Sequence, residues 1–126
     1  MAMKRMSVAG AGASVRDFWT AKHGGEWSNI PCYNFREVLA AAGIEHVDWL
    51  ILDMEGAESG ALISFPWESV SVGIVQIECC RKLDMPGKKV LSRYDFFAVF
   101  MNDLGFDEMP RTVGDVIFRN KSLGPL

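Results

Sequence analysis

Apolar residues along this chain follow two rhythms, one recurring every three to four positions and one nearly unbroken, and their alternation marks out the elements. Phe35, Val38, Leu39 and Ala42 recur at helical spacing behind Asn34, which with Glu37 forms a capping-box pattern, and Gly43 closes the run. A helix is predicted at about 34 to 42. Val47 to Leu52 then reads V-D-W-L-I-L, an almost continuous apolar run that suits a strand covered on both faces, as parallel strands with helices above and below are. Asp53 marks its end. Ala57, Ala61, Leu62 and Phe65 return to helical spacing as far as Pro66, which predicts a second helix at about 56 to 64. Residues 70 to 78, V-S-V-G-I-V-Q-I-E, are rich in β-branched side chains and predict a strand finishing at Glu78. Ser92 and Asp95 can start a third helix, with Phe96, Phe97, Val99, Phe100 and Leu104 directed inward before Gly105. Phe106 to Arg111 and Asp115 to Arg119 flank Thr112-Val113-Gly114 and predict an antiparallel hairpin.

The remaining stretches lack such a rhythm. Residues 1 to 33 carry Gly10, Gly12, Gly24, Gly25 and Pro31 without sustained periodicity and read as an irregular N-terminal segment, leaving 34 to 126 as the folded domain. Residues 81 to 91, with Pro86-Gly87 and several lysines, read as a surface connection. The order α, β, α, β, α, β, β points to an α/β fold with parallel strands, covering helices and a C-terminal antiparallel hairpin.

Strand, helix, strand in succession implies a parallel unit, and ligands of such sheets sit at the carboxyl ends of the strands. That rim would carry Asp53, Glu55 and Glu78, with Glu58 in the first turn of the next helix. A plainer account stands beside this one. Acids at a helix start interact with the macrodipole by about 0.3–1 kcal/mol each, which alone could explain Asp53, Glu55 and Glu58. Gly56 fits either a tight turn or close approach to a ligand.

Composition narrows the partners. The 126 residues are 49% hydrophobic and 23% charged, with a net charge of -3 and a pI near 5.3, which suits one soluble domain and leaves no basic excess for nucleic acid. Arg81, Lys82, Lys88 and Lys89 form the one small basic cluster. No stretch approaches the roughly 20 apolar residues of a membrane span, and the Ala/Gly-rich start is a poor signal peptide. Cys32, Cys79 and Cys80 cannot all pair together, a disulfide between neighbours would be strained, and a reducing, cytoplasmic setting fits best. His23 and His46 stand apart from the cysteines, so no metal site is expected. Gly10-Ala11-Gly12 is a lone GxG, Trp19 and Trp27 around His23 suit a small apolar cluster, and no Ser/His/Asp or GxSxG signature is visible.

One long stretch is more specific. "NFREVLAAAGIEHVDWLILDMEGAESGALISFPW" at 34 to 67, then "IVQIEC" and "LGFDEMPRTVGDVIFRN", resembles the C-terminal half of the FkbM family of S-adenosylmethionine-dependent methyltransferases, with D-x-E-G-A-E at Asp53 to Glu58 as the signature. The resemblance implies part of a class I, Rossmann-like methyltransferase sheet, with strands four and five at 47 to 53 and 70 to 78 and the hairpin as strands six and seven. It implies S-adenosylmethionine as cofactor and methyl transfer to a hydroxyl of a small molecule or a glycan. Asp53, Glu55 and Glu78 are then the catalytic acids, and Gly56 and Glu58 contact the substrate.

The family's glycine-rich cofactor turn and its ribose-binding acid have no counterpart here. A fragment, or a reduced protein that is inactive alone, is therefore expected. The alternative is a non-catalytic module that binds a cation or hydroxylated ligand, or pairs with another chain. Without its usual neighbour the strand at 47 to 53 becomes an apolar sheet edge, which predicts association with a second copy there, or cover by residues 1 to 31.

Overall fold

The computed structural model describes residues 2–8, 26–79, 93–110 and 114–124. In chain order these form β1 (Ala2–Val8), β2 (Glu26–Cys32), α1 (Phe35–Ala42), β3 (His46–Leu52), α2 (Glu58–Ser64), β4 (Ser71–Glu78), α3 (Arg93–Asp103), β5 (Phe106–Glu108), β6 (Asp115–Asn120) and a 3-10 turn at Lys121–Leu123. Gly10 to Gly12, Trp19, His23, the basic cluster, Ser92 and Thr112-Val113 lie outside the described residues. Two compact units emerge, Met1–Glu45 with Asp53–Trp67, and His46–Leu52 with Glu68–Leu126.

The first unit opens with a correction. Where no element was expected before residue 34, β1 and β2 pair antiparallel from Ala2 opposite Cys32 to Val8 opposite Glu26. Pro31, opposite Met3, argued against a strand; in a two-stranded ribbon both strands are edges, where a missing N–H is tolerated.

The helix that follows is set by its ends. Asn34 Oδ1 accepts from the Glu37 amide at 2.9 Å and Glu37 Oε2 accepts from the Asn34 amide at 3.0 Å, so the capping box is closed in both directions. The Asn34 amide also holds the Glu37 carboxyl below the ordinary glutamate pKa. Gly43, at φ +66, donates to Ala40 O, and Ile44 donates to Leu39 O, which closes α1 with a left-handed cap. Helix α2 ends because Phe65 turns extended ahead of Pro66. Phe65 is buried, 5.3 Å from the Phe35 ring and 4.5 Å from the Trp67 ring, while Trp67 Nε1 donates to Leu62 O at 2.7 Å.

The second unit is a mixed four-stranded sheet in the order β3-β4-β6-β5. Strands β3 and β4 run parallel; β6 is antiparallel to β4 and to β5. The expected hairpin is there. Register builds the core in rows: Leu50 faces Val75, which faces Phe118, and Leu52 faces Ile77, which faces Val116. All six are buried, as are Phe106 and the Phe97 and Met101 of α3, which packs against β5. Each such side chain contributes about 1.5–3 kcal/mol by leaving water.

Two expectations about facing fail. Strand β3 does not bury both of its faces, since Trp49 is 54% and Ile51 58% exposed. An unbroken apolar run does not by itself report how many faces are covered. In α3 the buried pair is Phe97 and Met101, four residues apart, whereas Val99 is 60% and Leu104 37% exposed.

Candidate functional site

The chain leaves β3 after Leu52 and enters α2 at Glu58, and the five residues between are organised by their own backbone. The Ala57 amide donates to Met54 O at 3.2 Å, closing a tight turn whose central residues, Glu55 and Gly56, have φ of +50 and +99. Glycine takes this conformation at little cost. Glutamate does not, and Glu55 is the one non-glycine residue with positive φ among those described.

Glu58 holds this turn from beneath. Its side chain is buried at 1% exposure, and Oε1 accepts from the Met54 amide at 2.9 Å and the Gly56 amide at 3.1 Å. A buried carboxylate is stable when amides of this kind solvate it. The amides of Met54, Gly56 and Ala57 are thus all engaged within the loop. To solvent it presents Asp53 and Met54, both exposed, and Glu55, half-buried. The arrangement suits a cation or a hydroxyl donor and repels an anion.

Asp53, Glu55, Gly56 and Glu58 therefore share one loop and helix start. Glu78 comes from the sheet, as the last residue of β4 and partly exposed. The sequence places Glu58 correctly in the first turn of the helix. What it does not convey is that this carboxylate turns back onto its own loop. A signal was present in the four-residue interval from Met54 and the glycine between, but it reads equally as an acid at a helix start.

The fold also joins residues that carried no recognisable pattern. His46 Nδ1 is 2.6 Å from Ser71 Oγ, and its Nε2 is 3.0 Å from Asp48 Oδ1. Hydroxyl, imidazole and carboxylate are thus in line, although no Ser/His/Asp signature exists in the sequence. The Asp48 side chain is 98% exposed and that of His46 51%, a solvated setting in which such a pairing contributes little. His46 and Ser71 are cross-strand partners, and the chain of hydrogen bonds pins the first rung of β3 to β4. Cys79 is buried at the end of β4, and Cys32 is a thiol.

No described helix is long and apolar enough to cross a membrane. Compared with known families, residues 5–108 match the model described as Methyltransferase FkbM domain, a span that begins upstream of the stretch carrying the resemblance. Neither the curated proteins nor the solved structures yield a match.

Proposed function

Because the chain belongs to the FkbM methyltransferase domain family, we propose that it is an S-adenosylmethionine-dependent methyltransferase domain directed at a hydroxyl oxygen of a small molecule or a glycan. Asp53, Glu55 and Glu78 are its catalytic carboxylates, and Gly56 is where the acceptor approaches the backbone. The order β3-β4-β6-β5, one parallel pair followed by an antiparallel hairpin, supports assigning the second unit to part of a class I, Rossmann-like methyltransferase sheet.

The observation that carries the proposal is the loop after β3, which engages its amides internally and offers carboxylates outward. That donor set fits the cationic end of the cofactor. It would not suit a phosphate or a free carboxylate. When bound, the cofactor supplies an electrophilic methyl group. The chain's own part is to accept a hydrogen bond from the acceptor hydroxyl at Asp53 or Glu55 and to take up its proton, a general-base contribution of about 10²–10⁴-fold. No described residue is assigned to the adenosine.

Calorimetry of the full chain with S-adenosylmethionine tests this. Binding is expected, and Glu55→Gln should weaken it about tenfold, the scale of one charge-assisted contact. No heat at high protein concentration would refute it. One observation favours the alternative of a module that pairs with another chain: among the described residues β3 has β4 as its one neighbour, and Trp49 and Ile51 stand exposed along it. On that reading residues 47 to 53 are where a second copy would add.

A further inference from the structure

We propose that Glu58 is a positioning residue, a buried clamp that keeps Glu55 in the left-handed region so that the Glu55 carboxylate is offered to the ligand, and that Glu58 itself touches no substrate. The inference rests on the ligand-binding role proposed for this loop and assigns different tasks to two of its acids. Three features carry it. The Glu58 carboxylate is buried and faces the backbone of its own turn, with Oε1 on the amides of Met54 and Gly56. Glu55 holds φ +50 although glycine would hold that conformation more cheaply, and a second left-handed residue, Gly56 at φ +99, follows directly. Strain of this kind persists where surrounding contacts over-determine it and the side chain has a task. The clamp supplies the contacts. The carboxylate of Glu55, half-buried, supplies the task.

The test uses the full chain and four variants. Glu58→Gln keeps an oxygen that can accept from both amides, and Glu58→Ala removes it. Amide hydrogen exchange followed by NMR should show Met54 and Gly56 protected in the parent and in Glu58→Gln, and exchanging at least tenfold faster in Glu58→Ala. Fast exchange in the parent, or unchanged protection in Glu58→Ala, overturns the clamp. Glu55→Gly should raise the urea midpoint by about 0.5 M, because the left-handed strain is relieved; a lowered midpoint overturns the claim that Glu55 is held against its preference. If Glu58→Ala does not fold, Glu58→Gln and Glu55→Gly still decide.

The ligand-facing claim is read separately, as the ratio of affinities for cationic S-adenosylmethionine and neutral S-adenosylhomocysteine. That ratio should fall several-fold in Glu55→Gln and in Glu58→Ala and hold in Glu58→Gln, which a purely structural role of Glu58 would not produce. A ratio unmoved by Glu55→Gln removes Glu55 from the ligand. If the parent binds neither compound, the cofactor assignment fails with the ligand-facing claim, while exchange and the urea midpoint still decide the clamp.

Discussion

Adding one methyl group at Gly73 and at Gly60 should change stability in opposite directions. A Cβ on Gly73, in the middle of β4, would stand 2.7 Å from the backbone carbonyl oxygen of Asp48 on the neighbouring strand, 3.6 Å from that carbonyl carbon and 3.6 Å from Leu123 Cδ1. Ordinary carbon–oxygen contact needs roughly 0.5 Å more, and the obstructing atom is strand backbone, so no rotamer change relieves it. Relief requires β3 and β4 to move apart where His46 and Val47 pair with Ser71 and Val72. Overpacking of this kind costs about 1–3 kcal/mol, while replacing glycine stiffens the unfolded chain and returns about 0.4–1 kcal/mol. The net expectation for Gly73→Ala is a loss of about 1–2 kcal/mol.

Gly60 lies within α2, and a Cβ there meets nothing within 4 Å. Only the propensity and entropy terms act, so Gly60→Ala should gain about 0.5–1 kcal/mol. Urea unfolding monitored by tryptophan fluorescence reads both. With a slope of about 2 kcal/mol per molar, the midpoint should fall by about 0.5–1 M for Gly73→Ala and rise by a few tenths for Gly60→Ala. A Gly73→Ala midpoint at or above that of the parent would show that the β3–β4 approach is looser than the register implies, and the row-by-row account of the core would fail with it.

Other perturbations reach the remaining elements. Asn34→Ala removes the acceptor for the Glu37 amide and should cost about 1 kcal/mol by urea unfolding; no loss would mean the capping box does not hold α1. The Glu37 pKa is lowered on folding, so its contribution to stability is present above the unfolded glutamate value and disappears as pH falls through the lower folded value. NMR titration of the Glu37 side-chain carboxyl should show that depressed midpoint in the parent and an ordinary one in unfolding urea. Trp49→Lys with Ile51→Lys should shift any self-association seen by light scattering toward monomer with the fold intact, and association unchanged by the double variant would remove residues 47 to 53 as the contact.

What could be read in advance divides along a physical line. The capping box at Asn34 and Glu37, the left-handed close at Gly43 and the stop before Pro66 are local events fixed within a few residues, and the chain writes them openly. Strands β3, β4 and β6 were legible too, because a buried row demands apolar residues in period. The pairing of β1 with β2 joins Ala2 to Cys32 and Val8 to Glu26, and nothing in either segment alone announces the other. The link from His46 to Ser71 spans 25 positions and was invisible for the same reason.

The loop at Asp53 to Glu58 is a different case, because its residue types stand out in the sequence and their division of labour does not. An acid at the first position of a helix is favoured by the macrodipole whether or not it binds anything, so composition alone leaves Glu58 ambiguous. Coordinates separate the two accounts: a dipole partner has no need to be buried, yet Glu58 is 1% exposed and its oxygen is matched to two amides of the preceding turn. The same turn carries a glutamate in a conformation suited to glycine, one position before a glycine. Gly56 takes the larger positive φ of the two central residues, the position glycine fills in turns of this kind, and stability measured for Glu55→Gly reports the strain that Glu55 carries even before an acceptor is known.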